Sequence, residues 1–276
     1  MLGKLMTYEL RALWKPAIIM VAIMVAAGMI GAGCLGATQA LGEVARSGNG
    51  TLAAPMAGNA TAVLFMAALF CGFLVGAAVA AFYVFVAMRF YRTLFTDEGY
   101  LTLTLPVRAG TLVMAKFWVA YLLLVALALG ALLMYTLMVL AVSGGDVDAV
   151  AGMLSIMGGW GAFVADGDVA SALGGIVNTL VTCAYALGLA FLSLTLGAWW
   201  ARRHKVAAAV GVYLAVGWAI ALVFSIAGVL AMAGDVVSWN VALTVVSLVQ
   251  TLANIGVAAG GLALSAHLLR TKVDLS

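Results

Sequence analysis

Six apolar runs, each long enough to cross a lipid bilayer, occupy most of this chain and decide what it can fold into. They fall at approximately Ala17–Leu41, Thr61–Met88, Phe117–Val142, Ser171–Trp200, Val206–Ala233 and Val241–Ala266. A hydrocarbon core about 30 Å thick is spanned by about 20 apolar residues of helix. Within lipid every backbone N–H and C=O must be satisfied internally, so single runs of this length are helices. Composition agrees: 66% of the 276 residues are hydrophobic and 8% are charged, where soluble domains carry about 25% charge. Mean hydropathy is +1.21. The stretches between runs stay under about 30 residues, short of the usual minimum of about 50 for a domain with its own core. The expectation is an all-α integral membrane protein with six transmembrane helices, an N-terminal amphipathic interfacial helix and both termini cytoplasmic.

Orientation rests on the basic residues. Lys4, Arg11 and Lys15 precede the first run, and Arg89, Arg92, Arg108 and Lys116 lie between the second and third. Arg202, Arg203 and Lys205 follow the fourth, and Arg270 and Lys272 follow the sixth. Twelve of the thirteen thus share one side, with Arg46 opposite. Trp14, Trp118, Trp199 and Trp200 fall at the inner boundaries and Trp160 and Trp239 at the outer ones, the pattern of an interfacial aromatic belt. Trp218 alone lies inside a span, where it packs or lines a pathway.

Residues 1–16, MLGKLMTYELRALWKP, place Leu2, Leu5, Met6, Leu10 and Leu13 on one helical face, with Lys4, Glu9, Arg11 and Lys15 largely elsewhere. This reads as an amphipathic helix in the membrane interface, ended by Pro16. Residues 17–276 then form a single six-span domain. Gly31-Ala32-Gly33-Cys34 loosely matches a lipoprotein cleavage box, but the apolar run continues to Leu41 and Gly31 stands where Leu is expected, so a retained span is favoured. The apolar segment 149–165 in the external loop 143–170 is short and Gly-rich, and as a seventh span it would move Arg202, Arg203 and Lys205 outside. It reads as an interfacial or re-entrant helix.

Cys34, Cys71 and Cys183 sit inside apolar runs without metal-ligand or disulfide spacing, as small packing residues. Asp146, Asp148, Asp166 and Asp168 bracket segment 149–165 without EF-hand spacing, which suits turns and helix ends. No metal site is expected. His204 and His267 lack a neighbouring nucleophile or carboxylate, so no catalytic residues are assigned and the chain is expected not to be an enzyme. A phosphate-binding GxxxxGK[ST] loop is missing, and the six runs contain no Asp, Glu, Lys or Arg, which leaves a carboxylate-based proton relay without a candidate. Energy for transport would come from another chain, or transport would be passive. Neutral polar residues remain within the runs: Asn178, Thr179 and Thr182 in the fourth, Gln250 and Asn254 in the sixth. They serve as interhelical hydrogen bonds or, with Trp218, as a weakly polar substrate pathway. Gly72-x-x-x-Gly76 and Gly256-x-x-x-Gly260 have the spacing that lets helices approach closely.

The longest charged segment between runs is 89–116, RFYRTLFTDEGYLTLTLPVRAGTLVMAK. Asp97 and Glu98 suit the first turn of a short surface helix ended by Pro106, and the alternation over residues 100–105 has no second strand to pair with. With the opening MLGKLMTYELRALWKP and six following spans, the DEGYLTLTLP core of this segment resembles small bacterial permease subunits of ATP-binding-cassette (ABC) exporters, of the type-2 membrane-domain class. The resemblance implies that residues 1–16 are an elbow helix and 89–116 a cytoplasmic coupling loop. Arg92, Thr96, Asp97, Glu98, Gly99, Tyr100 and Leu101 would then engage a cytoplasmic ABC ATPase subunit. ATP and Mg would be bound by that partner, with no cofactor on this chain. A second permease chain, the same or related, and the lipid bilayer complete the expected partners, with no nucleic acid. Localisation would be the bacterial inner membrane. In that class external re-entrant helices usually fall between spans five and six, whereas the long external segment here lies between spans three and four. The competing readings are an ATP-independent channel or facilitator and a membrane-embedded enzyme or assembly protein.

Overall fold

The structure is a computed structural model that describes residues 2–47, 53–95, 109–144, 146, 148, 169–200, 205–233 and 239–271. Among these, the long elements are helices and no strand occurs. They are α1 (Leu2–Ser47), α2 (Ala53–Phe95), α3 (Ala109–Ser143), α4 (Val169–Trp200), α5 (Lys205–Ala233) and α6 (Trp239–Thr271). All six contain a stretch long and apolar enough to cross a membrane, which makes this a multi-pass membrane protein.

The helices outrun the predicted spans. At 1.5 Å per residue, the 46 residues of α1, 43 of α2 and 35 of α3 extend about 69, 65 and 52 Å. A bilayer with its headgroups measures about 40–45 Å. Pro16 does not end the first helix as expected, because α1 runs through it to Ser47. A proline inside a helix forfeits one backbone hydrogen bond and crowds the preceding turn, and here the continuous apolar run on its C-terminal side carries the helix across.

Contacts divide the chain into two compact units. One comprises Leu13–Tyr83 and Leu123–Thr179, the other Met1–Ala12, Val84–Leu122 and Leu180–Ser276.

The first unit is built on seams with three-and-four spacing. Within this unit, Ala68, Cys71, Val75, Ala78 and Phe82 are the buried hydrophobic positions of α2, and Leu124, Leu127, Ala131, Met134 and Met138 those of α3. This spacing keeps one stripe of a helix facing its neighbour. On α1 the stripe includes Leu13, Ala17, Met24, Ala27 and Leu35. Helices α1 and α3 run parallel here. Met24 packs at Gly130, Met134 at Gly28 and Met138 at Gly31, in ascending order on both helices. The Gln39 amide Nε2 donates to the Val142 carbonyl oxygen further along the same pair. Gly72 and Gly76 do not bring two backbones together as their spacing suggested. They accommodate the Tyr135 ring, whose hydroxyl donates to the Gly72 carbonyl at 2.8 Å. After Ser143, Gly144 takes the left-handed conformation (φ 65°), the usual way to turn a chain off a helix. The Asp146 N–H then bonds the Ser143 carbonyl at 3.3 Å, and the Asp146 carboxylate accepts the Asp148 N–H at 3.0 Å. That local turn is what these two acidic residues build. Segment 149–165, Asp166 and Asp168 lie outside the described residues.

In the other unit α4 is the most enclosed helix. Half of its most apolar stretch is buried, against 6% for α5. Helices α4 and α6 are parallel and touch backbone to backbone: a Cβ on Gly188 would meet Ala258 Cα at 2.7 Å, and one on Gly261 would meet the Gly188 oxygen at 2.8 Å. Thr195 and Ser265, both fully buried, share a hydrogen bond at 3.3 Å along the same line. Helices α4 and α5 are antiparallel and meet at Gly197, where a Cβ would lie 2.5 Å from the Ala209 nitrogen. Among the described residues, nothing beyond their own helix backbone lies within 4 Å of a Cβ placed on Gly256 or Gly260, the second predicted close-approach pair.

Candidate functional site

The best-defined polar site lies in the second unit, at the two helix ends flanking the connection between α2 and α3. Arg89 sits near the end of α2 and Lys116 near the start of α3, and both bind the same carboxylate, that of Glu9 on α1. Arg89 Nε donates to Glu9 Oε2 at 3.3 Å, and Lys116 Nζ donates to Glu9 Oε1. The lysine side chain is only 8% exposed and the glutamate 15%. A charge so far out of water is held in place by its counter-charge, because desolvating it unpaired costs several kcal/mol.

The residues next in sequence to the two cations serve a second anchor. Phe90 stacks on Phe191 of α4 with ring centroids 3.9 Å apart and planes 9° apart. Phe117 meets the same ring edge-on, at 6.3 Å and 77°. Phe191 is buried to 1% exposure. Each helix end therefore contributes a cation to α1 and, one residue later, a ring to α4. Leu112, Val113, Ala115, Val119 and Ala120 are also buried, so the start of α3 is enclosed on several sides.

Sequence reasoning placed Glu9 on the polar side of an amphipathic helix. The inward positions of this stretch include Leu5, Met6, Glu9, Ala12 and Leu13, while Leu10 of the apolar face is exposed within the chain. Arg89 and Lys116 were visible only as two of four basic residues in the polar segment. Nothing local in the sequence pairs them with a carboxylate some eighty to a hundred residues away. The one signal available was that Glu9 is the only acidic residue among residues 1–16.

Of the predicted coupling residues, Arg92 lies exposed in the last turn of α2. Thr96, Asp97, Glu98, Gly99, Tyr100 and Leu101 lie outside the described residues, as does the alternating stretch 100–105. The predicted pathway residues are distributed over three helices. Asn178 and Thr182 are exposed on α4, Gln250 is exposed and Asn254 half-buried on α6, and Trp218 on α5 is 70% exposed. Asn178 belongs to the first unit and the others to the second. Trp218 does not pack inside the chain. Interhelical hydrogen bonds are seen elsewhere: Thr195 to Ser265, Tyr121 to the Leu180 carbonyl at 3.2 Å, and Tyr135 to Gly72. Comparison with known proteins finds no matching family model, curated protein or solved structure.

Proposed function

We propose that this chain is the membrane-spanning permease subunit of an ATP-driven exporter of the ABC type, working with a separate cytoplasmic ATPase and with a second permease chain in a bacterial inner membrane. The observation that carries the reading is the pair of long helices around the 89–116 segment. Helices α2 and α3, with 43 and 35 residues, exceed the roughly 20 residues that cross the hydrocarbon. Their surplus length suits stems that hold a charged connection clear of the bilayer. Such a connection is the place where a soluble motor could push, and rigid helices convert a push at one end into displacement at the other.

The twelve basic residues on one side favour cytoplasmic termini and a cytoplasmic 89–116 segment. In this reading Asp97, Glu98 and their neighbours from Arg92 to Leu101 meet the ATPase. Asn178, Thr182, Trp218 and Gln250, neutral and exposed within the chain, and the half-buried Asn254 face the substrate route or the second permease. A route without formal charge suits hydrophobic or amphiphilic cargo such as peptides, drugs or lipids.

The test is a pulldown of the detergent-solubilised protein from its native membranes, with ATP hydrolysis assayed on the eluate. An ATPase co-purifies with the native chain, and Asp97→Ala/Glu98→Ala releases it or removes its response to the permease. Passive flux in vesicles with no ATPase bound would instead establish a channel or facilitator.

A further inference from the structure

Glu9 stands where a carboxylate is least expected on a membrane-bound helix, at an inward phase, with both oxygens engaged by different helices. A carboxylate needed only to neutralise the buried Lys116 would require one partner. Glu9 has two, on either side of the same chain connection, and Phe90 and Phe117 repeat the pattern toward Phe191. The end of α2 and the start of α3 are thereby tied to each other twice, through a charge on α1 and through a ring on α4.

We propose that Glu9 is a positioning residue that makes the N-terminal turns of α1, the end of α2 and the start of α3 move as one body, with Phe191 adding α4. A displacement applied to the connection between α2 and α3 is then delivered to α1 through Glu9 and to α4 through Phe191. This use of the joint rests on the exporter reading, whereas the joint itself does not. Ion pairs suit the task because Coulomb attraction in a poorly hydrated site falls off gradually with distance. The stacked rings resist separation by close contact alone.

Two variants separate positioning from simple charge compensation. Glu9→Gln strands a buried lysine and lowers stability for that reason alone. Glu9→Gln/Lys116→Met removes the stranded charge, so its melting temperature returns toward that of the native chain. The full-length protein in nanodiscs is followed by deuterium exchange. In the double variant, exchange accelerates by about tenfold in residues 3–12, 86–95 and 109–118 together, since opening of helix ends follows the loss of local contacts. Acceleration confined to residues 3–12 would overturn the joint. In the complex with its ATPase, ATP with vanadate alters exchange in residues 3–12 of the native chain. The double variant retains the ATPase but loses that response, while the response around Phe191 persists. A full response in residues 3–12 of the double variant would overturn the transmission role. Absence of any ATPase from the native eluate would count against the exporter reading and leave the joint to be decided by the nanodisc measurement.

Discussion

Gly28, Gly31 and Gly130 of one unit receive methionine side chains, whereas Gly188, Gly197 and Gly261 of the other receive a neighbouring backbone. The two arrangements differ in what can yield. Methionine has three rotatable bonds and a polarizable sulfur, and it fills irregular spaces by changing rotamer. A helix backbone has no such freedom, so an added methyl must move a whole helix. Glycine count and glycine spacing therefore say little about tolerance to substitution, and what stands opposite says most.

The comparison is broken or sharpened by substitutions that differ only in that opposite group. Gly197→Ala and Gly188→Ala carry the largest expected cost, about 3 kcal/mol, the upper end for overpacking, read as a loss of thermal stability in detergent or nanodiscs. If either matched the native melting temperature, the backbone contact between α4 and its neighbours would be wrong. Glu9→Gln follows at about 2 kcal/mol, below the range for a fully buried pair because Arg89 is 30% exposed. Adding Lys116→Met recovers most of it. Gly130→Ala costs about 1 kcal/mol, because the terminal methyl of Met24 is the atom to be displaced at 2.6 Å and it can swing aside. Thr195→Val removes the bond to Ser265 and costs about 0.6 kcal/mol, the average for interhelical hydrogen bonds in membranes. Gly72→Ala comes last. Its Cβ would find Met138 at an ordinary 3.6 Å, so the gain in helix propensity of up to about 1 kcal/mol leaves the protein unchanged or slightly more stable.

The six helices were legible in the sequence because lipid enforces one rule on every backbone group, and apolar runs record that rule directly. Their ends were less so. Arg89 and Lys116 stopped the count of apolar residues, yet both lie inside helices because an ion pair makes a charged residue compatible with a packed interface. Pro16 was read as a break from its local chemistry, and the rest of α1 outweighed that chemistry. The glycine pairs chosen by spacing, Gly72/Gly76 and Gly256/Gly260, were not the close approaches. Those occur at Gly188, Gly197 and Gly261, whose partners lie on other helices and leave no periodic trace. Glu9 was missed for the same reason: a contact between residues 9, 89 and 116 has no signature at short range.

The reciprocal fit of α1 and α3 fixes how that pair can move. Sliding α3 by one turn in one direction would bring Met134 opposite Met24, two long side chains in the space of one. Sliding it the other way would set Gly130 opposite Gly28 and leave an unfilled gap. Neither neighbouring register is a resting place, so the seam behaves as a keyed shaft. Over this stretch α1 and α3 tilt or rotate together or not at all, and Tyr135, bonded to the Gly72 carbonyl, carries α2 with them.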